Sequence, residues 1–301
     1  MNVHVKTRGR LGDDEVTAVL SLVEAATESD GVRPLNEHVM LHLRYGGEER
    51  AKAVLVYDGP TLVGFAHLDP TDPVEGPSGE LVIAPAHRRR GHGHRLLSSL
   101  LDLAGGRLRL WAHGDHPGAA RLAAAHGLTR ARSLWQMRRS LFAPLDTPAI
   151  PPGVRVRTFV PGQDEDEWIA LNARAFASHP EQGAWLRPDL ERREQESWFD
   201  PAGFFLAERE GKLVGFHWTK THGDGEHAHD PIGEVYVVGV DPAEQGTGLG
   251  RALTLAGLAH LRSRGLGNVL LYVDEENAAA VRLYESLGFA RWDTDVMYTR
   301  G

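Results

Sequence analysis

The 301-residue chain contains no cysteine. Disulfides, thiolate metal sites and a cysteine nucleophile are therefore excluded. It has no run of 18 apolar residues, which a membrane-crossing helix would need. Met1 to Arg10 is polar and lacks the apolar core of a secretory signal. Positive charge is also short: 33 Lys and Arg against 41 Asp and Glu leave −8, with the 16 His counted neutral. A polynucleotide binder needs a basic face, so nucleic acid is not an expected partner. No Gly-Lys-Ser/Thr follows a glycine loop, which excludes a Walker A site. The expectation is a cytoplasmic monomer with neither membrane nor nucleic-acid partner.

Apolar residues make up 42% and charged residues 25%, as in ordinary globular chains. At roughly 150 residues per domain the length suggests two domains. The break falls at Ala143-Pro-Leu-Asp-Thr-Pro-Ala-Ile-Pro-Pro-Gly153, whose four prolines read as a stiff linker. We therefore delimit residues 1–142, a linker at 143–152, and residues 153–301.

The two halves repeat one pattern. Gly79-Glu-Leu-Val-Ile-Ala-Pro-Ala-His-Arg-Arg-Arg-Gly-His-Gly93 is followed by Leu96, Leu97, Leu100 and Leu101. Val235-Tyr-Val-Val-Gly-Val-Asp-Pro-Ala-Glu-Gln-Gly-Thr-Gly-Leu-Gly250 is followed by Leu253, Leu255 and Leu258. Each is an apolar strand, a proline turn, a glycine loop and an amphipathic helix. Pro85 matches Pro242, and Gly91 and Gly93 match Gly248 and Gly250. Upstream, Ala53–Ala66 and Phe204–His217 both read as hairpins. The second half closes with a strand over 269–273, a helix over 278–287 and a strand over 292–299. The fold class expected is α/β, with a central mixed (α+β) sheet in each of two tandem copies.

Gln245-Gly-Thr-Gly-Leu-Gly250 bends the backbone so that successive N–H groups converge at a helix N-terminus, a cradle for a pyrophosphate. It follows the fourth strand of its half, which is the wrong place and register for a Rossmann fingerprint. A plain strand-to-helix turn is the structural alternative. With the downstream stretch Asn277-Ala-Ala-Ala-Val-Arg-Leu-Tyr-Glu-Ser-Leu-Gly-Phe289, the loop resembles the GCN5-related N-acetyltransferase family. That resemblance implies tandem acetyltransferase domains and acetyl-CoA lying in a splay between two parallel strands. The pantetheine arm would pair with Val238, Gly239 and Val240. The pyrophosphate would sit on Gln245, Gly246, Thr247, Gly248, Leu249, Gly250 and Arg251. Asn277, Ala278, Ala279, Ala280, Val281 and Arg282 would line the CoA arm. In the first half the matching residues are Leu81, Val82 and Ile83, with Arg88, Arg89, Arg90, Gly91, His92 and Gly93. They allow a second, structural acetyl-CoA there, although Arg88 to Arg90 also read as a solvated charge run.

Acetyl transfer to an amine needs a base for its ammonium proton, donors for the oxyanion and an acid for the leaving thiolate. Glu234 opens the strand leading to the loop; by alternation it shares a face with Tyr236 and Val238. Backbone N–H groups near Val238 to Val240 are the expected oxyanion donors. Tyr284 fits the family's acid. The alternatives are a solvated strand-start carboxylate and a core aromatic. Counting back from the prolines, Glu234 matches Pro77, and Glu80 matches Val237 with the opposite parity. Tyr284 matches Ala123, and Asn277 matches His116. The first half is therefore expected to lack acid and base, and only the second to be catalytic.

Further stretches resemble a tandem-domain branch of the family that acetylates the cysteinyl amine of cysteinyl-glucosaminyl-inositol, a small thiol-amine pseudodisaccharide. They are His179-Pro-Glu-Gln-Gly183, Trp198-Phe-Asp-Pro-Ala-Gly-Phe204, Phe216-His-Trp-Thr-Lys220 and Gly233–Pro242, and more loosely Gly31-Val-Arg-Pro-Leu-Asn-Glu37. This implies Glu37, Glu181, Lys220, Glu234 and Tyr272 as substrate ligands, with the substrate between the domains. Surface carboxylates, a solvated lysine and a packed tyrosine are the alternatives. Another small amine or aminoglycoside, a protein N-terminus, or a non-catalytic acyl-CoA-binding role stays open. His222-Gly-Asp-Gly-Glu-His-Ala-His-Asp230 matches no ligand framework, so no metal is expected.

Overall fold

The computed structural model describes residues 3–46, 50–72, 75–177, 180–223 and 231–301, with only the backbone of 180 and 181. The first half runs β1 (Val3–Arg8), α1 (Asp13–Asp30), α2 (Glu37–Tyr45), β2 (Lys52–Asp58), β3 (Thr61–Asp69), β4 (Ser78–Ile83), α3 (His92–Leu103), β5 (Leu108–Ala112), α4 (Pro117–Ala125) and β6 (Thr129–Ser140). The second runs β7 (Val154–Thr158), α5 (Glu165–Ala175), α6 (Pro180–Gly183), α7 (Arg187–Glu194), β8 (Phe204–Arg209), β9 (Lys212–His222), β10 (Ile232–Val240), α8 (Leu249–Ser263), β11 (Asn268–Asp274), α9 (Ala278–Ser286) and β12 (Ala290–Arg300). No described helix is long and apolar enough to cross a membrane.

The chain divides into two compact units, and these are not the two sequence halves. The first holds Met1–Trp135, Asp274–Glu276 and Asp293–Gly301; the second holds Gln136–Val273 and Asn277–Trp292. The final strand of each half has changed sides. In the first unit β12 is the antiparallel neighbour of β5, with Val296 opposite Ala112 and Arg300 opposite Leu108. β6 is the neighbour of β11, and its last residues, 136–140, belong to the second unit. A parallel strand such as β5 still has a free edge after pairing with β4, and β12 satisfies those edge amides. The proline-rich segment belongs wholly to the second unit. It is tied there by Arg262 to the Ala143 carbonyl, Arg139 to the Pro144 carbonyl and Arg251 to Asp146.

Each sheet is covered on both faces. In the first unit α1 and α2 bury Val19, Leu22, Val39 and Leu43 against Leu55, Phe65 and Val82. On the other face α3 buries Leu96, Leu97 and Leu100 against Val54, Val63, Val296 and Tyr298. In the second unit Trp168 and Leu171 of α5 and Leu190 of α7 pack on Phe204, Phe216, Trp218 and Val237. Opposite them, Leu249 and Leu253 of α8 pack on Ala207 and Val240.

Val296 is fully buried in the first unit's core. Val296→Ala deletes two methyl groups and leaves a cavity, an expected loss of about 2 kcal/mol. In hydrogen exchange, the amides of Leu108–Ala112 should lose protection while those of β8 and β9 keep theirs. Loss confined to residues 153–301 would contradict the strand exchange.

Candidate active site

β10 and β11 are paired in parallel only where Gly233, Glu234 and Val235 face Val269, Leu270 and Leu271. β10 nevertheless stays paired to β9 as far as Val240. From Val237 onward its β11-facing edge therefore carries backbone groups with no strand partner among the described residues. This is the splay, and it includes Val238, Gly239 and Val240. Gly239 is required by packing: a Cβ there would stand 2.4 Å from the Phe216 ring. The first unit repeats the arrangement. Among the described residues β4 meets β5 only at Ser78–Glu80, leaving Leu81, Val82 and Ile83 without a strand partner on that edge.

The glycine loop follows. Gly246 and Gly248 have φ of 79° and 89°, in the left-handed region open to glycine, and Gly248 caps α8. Leu249, Gly250 and Arg251 form the first turn, whose free N–H groups and dipole favour an anion. Arg251 is held by Ser286 and Asp146. Thr247 donates to the Glu244 carbonyl. Asn277 caps α9 by accepting from the Ala280 N–H at 3.1 Å. His116, its counterpart, caps α4 through the Gly118 N–H. Ala278, Ala279, Ala280, Val281 and Arg282 form the turns of α9 that follow, with Val281 buried and Arg282 exposed.

In the first unit Arg89 occupies the place of Gly246, with φ 63°. That conformation costs a non-glycine residue roughly 1–3 kcal/mol. Arg88 is not a solvated charge: it pairs with both Asp30 carboxylate oxygens at 2.7 Å. Arg90 is exposed, and Gly91 caps α3, which begins at His92 and Gly93. A cavity of about 500 Å³ lies above this loop, lined by Leu81, Ile83, Arg88, His92, Trp111 and His116 among others.

Simple alternation misplaces one side chain of β10. Val235 pairs with Thr219 and Val237 with Trp218, so Tyr236 is an extra, bulged residue. Tyr236 and Val237 consequently pack on the same face, toward α5. Glu234 lies opposite Lys220, whose ammonium sits 4.9 Å from the Tyr236 ring centroid, so Glu234 shares the Tyr236 face. Val238 does not. It pairs with His217, whose ring reaches the Leu253 carbonyl on the α8 side. The bulge also corrects the alignment of the halves. Measured through the β3 and β9 partners, Glu234 matches Ser78 rather than Pro77. Glu80 shares its face with Val82, which packs under α1 and α2, the counterpart of the Glu234 face. The parity difference expected for Glu80 is thus not present.

The structure joins Glu234 and Lys220 with His222, Trp198, Tyr236, Arg193 and Trp185, which the sequence did not single out for this role. Glu234 is buried, and its Oε2 lies 2.5 Å from His222 Nε2. Lys220 is buried too, with its ammonium 4.2 Å from the Trp198 ring centroid, a cation–π contact. Arg193 donates to the Tyr236 hydroxyl at 2.7 Å and stacks 3.8 Å from the Trp185 ring. Tyr272 is 41% exposed, and its hydroxyl accepts from Gln136 at 2.9 Å. The Tyr284 ring meets Phe289 edge-on, and burial pushes its phenol up to about 12, so it is protonated at neutral pH. Glu37 opens α2 in the first unit. Glu181 is on α6, its side chain outside the described set, and residues 224–230 of the histidine loop also lie outside it.

The first unit carries a buried charge chain. His113 Nδ1 lies 2.8 Å from Asp295, and its Nε2 lies 3.2 Å from Glu80. The other Glu80 oxygen accepts the Asn36 N–H at 2.8 Å. No sequence signal connects these positions.

A model of the Acetyltransferase (GNAT) family matches residues 20–128 and again 168–289. The chain belongs to this family. This acetyltransferase is 67% identical to a mycothiol acetyltransferase of Thermobispora bispora and 64% identical to one of Streptosporangium roseum, each alignment covering all of both chains. In fold it resembles a tandem GNAT protein of the clavulanic acid pathway, with TM-score 0.76 and 22% identity over 99% of this chain and 98% of that one. It is an acetyl-CoA-dependent N-acetyltransferase built from two copies of the family's α/β domain. The splayed edge and the glycine loop fit that donor: unpaired strand amides suit an amide-bearing arm, and a capped helix start suits phosphates.

Burial alone would lower the His113 pKa; the adjacent Glu80 and Asp295 outweigh it and raise it from 6.5 to about 10. A pKa raised by folding contributes stability that is complete below 6.5 and lost as pH rises through about 10. Urea titrations should show wild-type stability declining across that window. His113→Gln should be less stable at neutral pH and lack that decline. An equal slope in the variant would contradict the assignment.

Proposed function

We propose that the chain is a mycothiol synthase. It moves the acetyl group of acetyl-CoA to the cysteinyl amine of cysteinyl-glucosaminyl-inositol, the last step of mycothiol formation. The observation that carries this reading is full-length identity of 67% and 64% to mycothiol acetyltransferases. The chemistry on β9 and β10 supports it. A buried carboxylate beside a histidine is suited to take a proton, and a wall of Trp198, Tyr236, Lys220 and Arg193 is suited to a polyol.

In this reading Glu234 removes the proton from the substrate ammonium, either directly or through water, and His222 offers that proton an exit. The freed amine attacks the acetyl carbonyl carbon. As the C–N bond forms, backbone N–H groups of Val238 to Val240 receive the charge developing on the carbonyl oxygen. The C–S bond then breaks, and Tyr284 gives its proton to the departing CoA thiolate. Gln245 to Arg251 and Asn277 to Arg282 hold the CoA phosphates and arm. Lys220, Tyr272 and Glu181 hold the pseudodisaccharide. The first copy, without a counterpart of Tyr284, is non-catalytic. Its 500 Å³ cavity and open β4 edge accept a second, structural acetyl-CoA through Leu81 to Ile83 and Arg88 to Gly93.

Glu234→Gln and Tyr284→Phe should each lower kcat about 10²–10⁴-fold with little change in acetyl-CoA affinity. Lys220→Met should raise KM for the pseudodisaccharide more than it lowers kcat. Turnover surviving in the Glu234/Tyr284 double variant would remove both roles. Assays of cysteinyl-glucosaminyl-inositol beside simple amines test the substrate; preference for the simple amines would overturn it. Equilibrium binding should give two acetyl-CoA per chain, and one per chain would remove the structural site.

A further inference from the structure

Three side chains from three elements converge beneath the first unit's glycine loop. Asp58 ends β2, His87 closes the turn Pro85–His87, and His92 opens α3. Each offers a ligand atom, and these atoms all lie within 4.8 Å of one another. His92 is only 2% exposed, yet neither of its ring nitrogens has a hydrogen-bond partner. Nδ1 of His87 is buried and unpartnered as well. A buried nitrogen left unsatisfied is costly, so such a cluster calls for something that binds it.

The second copy provides an internal comparison. Counting from Gly64 and Gly215, Asp58 matches Arg209; counting from Pro85 and Pro242, His87 and His92 match Glu244 and Leu249. There Arg209 binds Glu244 through contacts of 2.7 and 3.2 Å, and Leu249 is buried against the core. The same joint, hairpin tip to cofactor loop, is closed by an ion pair and an apolar plug. The first copy has instead a carboxylate and two imidazoles, with no hydrogen bond between them.

We propose that Asp58, His87 and His92 bind one divalent transition-metal ion of the zinc class. Two imidazoles and a carboxylate suit zinc, and three ligands leave a fourth position for water. Zinc ligands stand roughly 3.3 Å apart in a tetrahedron, so binding draws these atoms together from their present spacing of up to 4.8 Å. The ion joins the β2–β3 hairpin to the loop Arg88–Gly93, the role of the Arg209–Glu244 pair in the other copy. The sequence did not suggest it because 29 and 5 residues separate the ligands, a spacing that matches no metal motif.

The untagged full chain, stripped with chelator, is titrated with zinc chloride by calorimetry and with cobalt(II) by absorption. One equivalent should bind, cobalt should give visible bands of a four- or five-coordinate site, and zinc should raise Tm. Asp58→Asn and His87→Gln should each weaken binding at least tenfold. His92→Leu, which installs the residue the second copy carries, should fold and lose the site. His222→Gln should leave binding unchanged. Absence of binding in the wild type overturns the proposal. So does binding that survives Asp58→Asn and His92→Leu, or binding lost in His222→Gln, which would place the ion on the histidine loop.

Discussion

On one side of β10 the hydrogen-bond ladder runs to Val240, and on the other it stops at Val235. That unequal pairing is the constraint on which the second unit's proposed chemistry depends. A strand held on both edges would have no backbone groups to spare. A strand held on neither could not keep them in place. Tyr236 adds a second condition at the point where the ladder ends. As one extra residue it turns Val237 to the α5 face and Val238 to the α8 face. Glu234 thereby shares a surface with Tyr236, Lys220 and Trp198, while the free edge begins only a few residues further on. The carboxylate is separated from the unpaired amides by the bulge alone.

The two copies show which parts of this arrangement the fold requires. Both splay their parallel strands, cap the following helix with a left-handed glycine, and start the last helix on a side-chain cap, Asn277 or His116. Those features recur with different side chains, so they belong to the backbone. Tyr236 has no bulged counterpart, because β3 and β4 pair without a register shift. Arg89 holds a φ of 63° where the second copy uses glycine. The loop is therefore kept in the first copy at some conformational cost.

The glycine loop, the proline turn and the hairpins were legible in the sequence because each rests on residues close together in the chain. Pro85 and Pro242, or Gly91 and Gly248, mark the same turn by local sterics alone. The faces of β10 were not legible. Counting residues assumes a period of two, and a bulge leaves no compositional mark, so Val238 and Glu80 came out on the wrong faces. The exchange of β6 and β12 was hidden for another reason: edge pairing is decided by which strand reaches β5, and the alternation of β12 would suit either sheet. Clusters such as His113 with Asp295, 182 positions apart, are invisible to any local reading.

That last pair also fixes the order of the first copy. Glu80, His113 and Asp295 are a cation between two carboxylates, buried at a net charge of −1 when all are ionised. Such a group is stable only if the spare oxygens find donors. The Asn36 and Gly114 N–H groups supply them, at 2.8 and 2.9 Å. The donors come from the start of α2 and the end of β5, and the carboxylates from β4 and β12. Four segments of the first unit are thus fixed to one imidazolium. An apolar core at this position would pack as well, but it would leave the start of α2 free to move by any amount the packing tolerates. A chain of directed hydrogen bonds fixes it to one position.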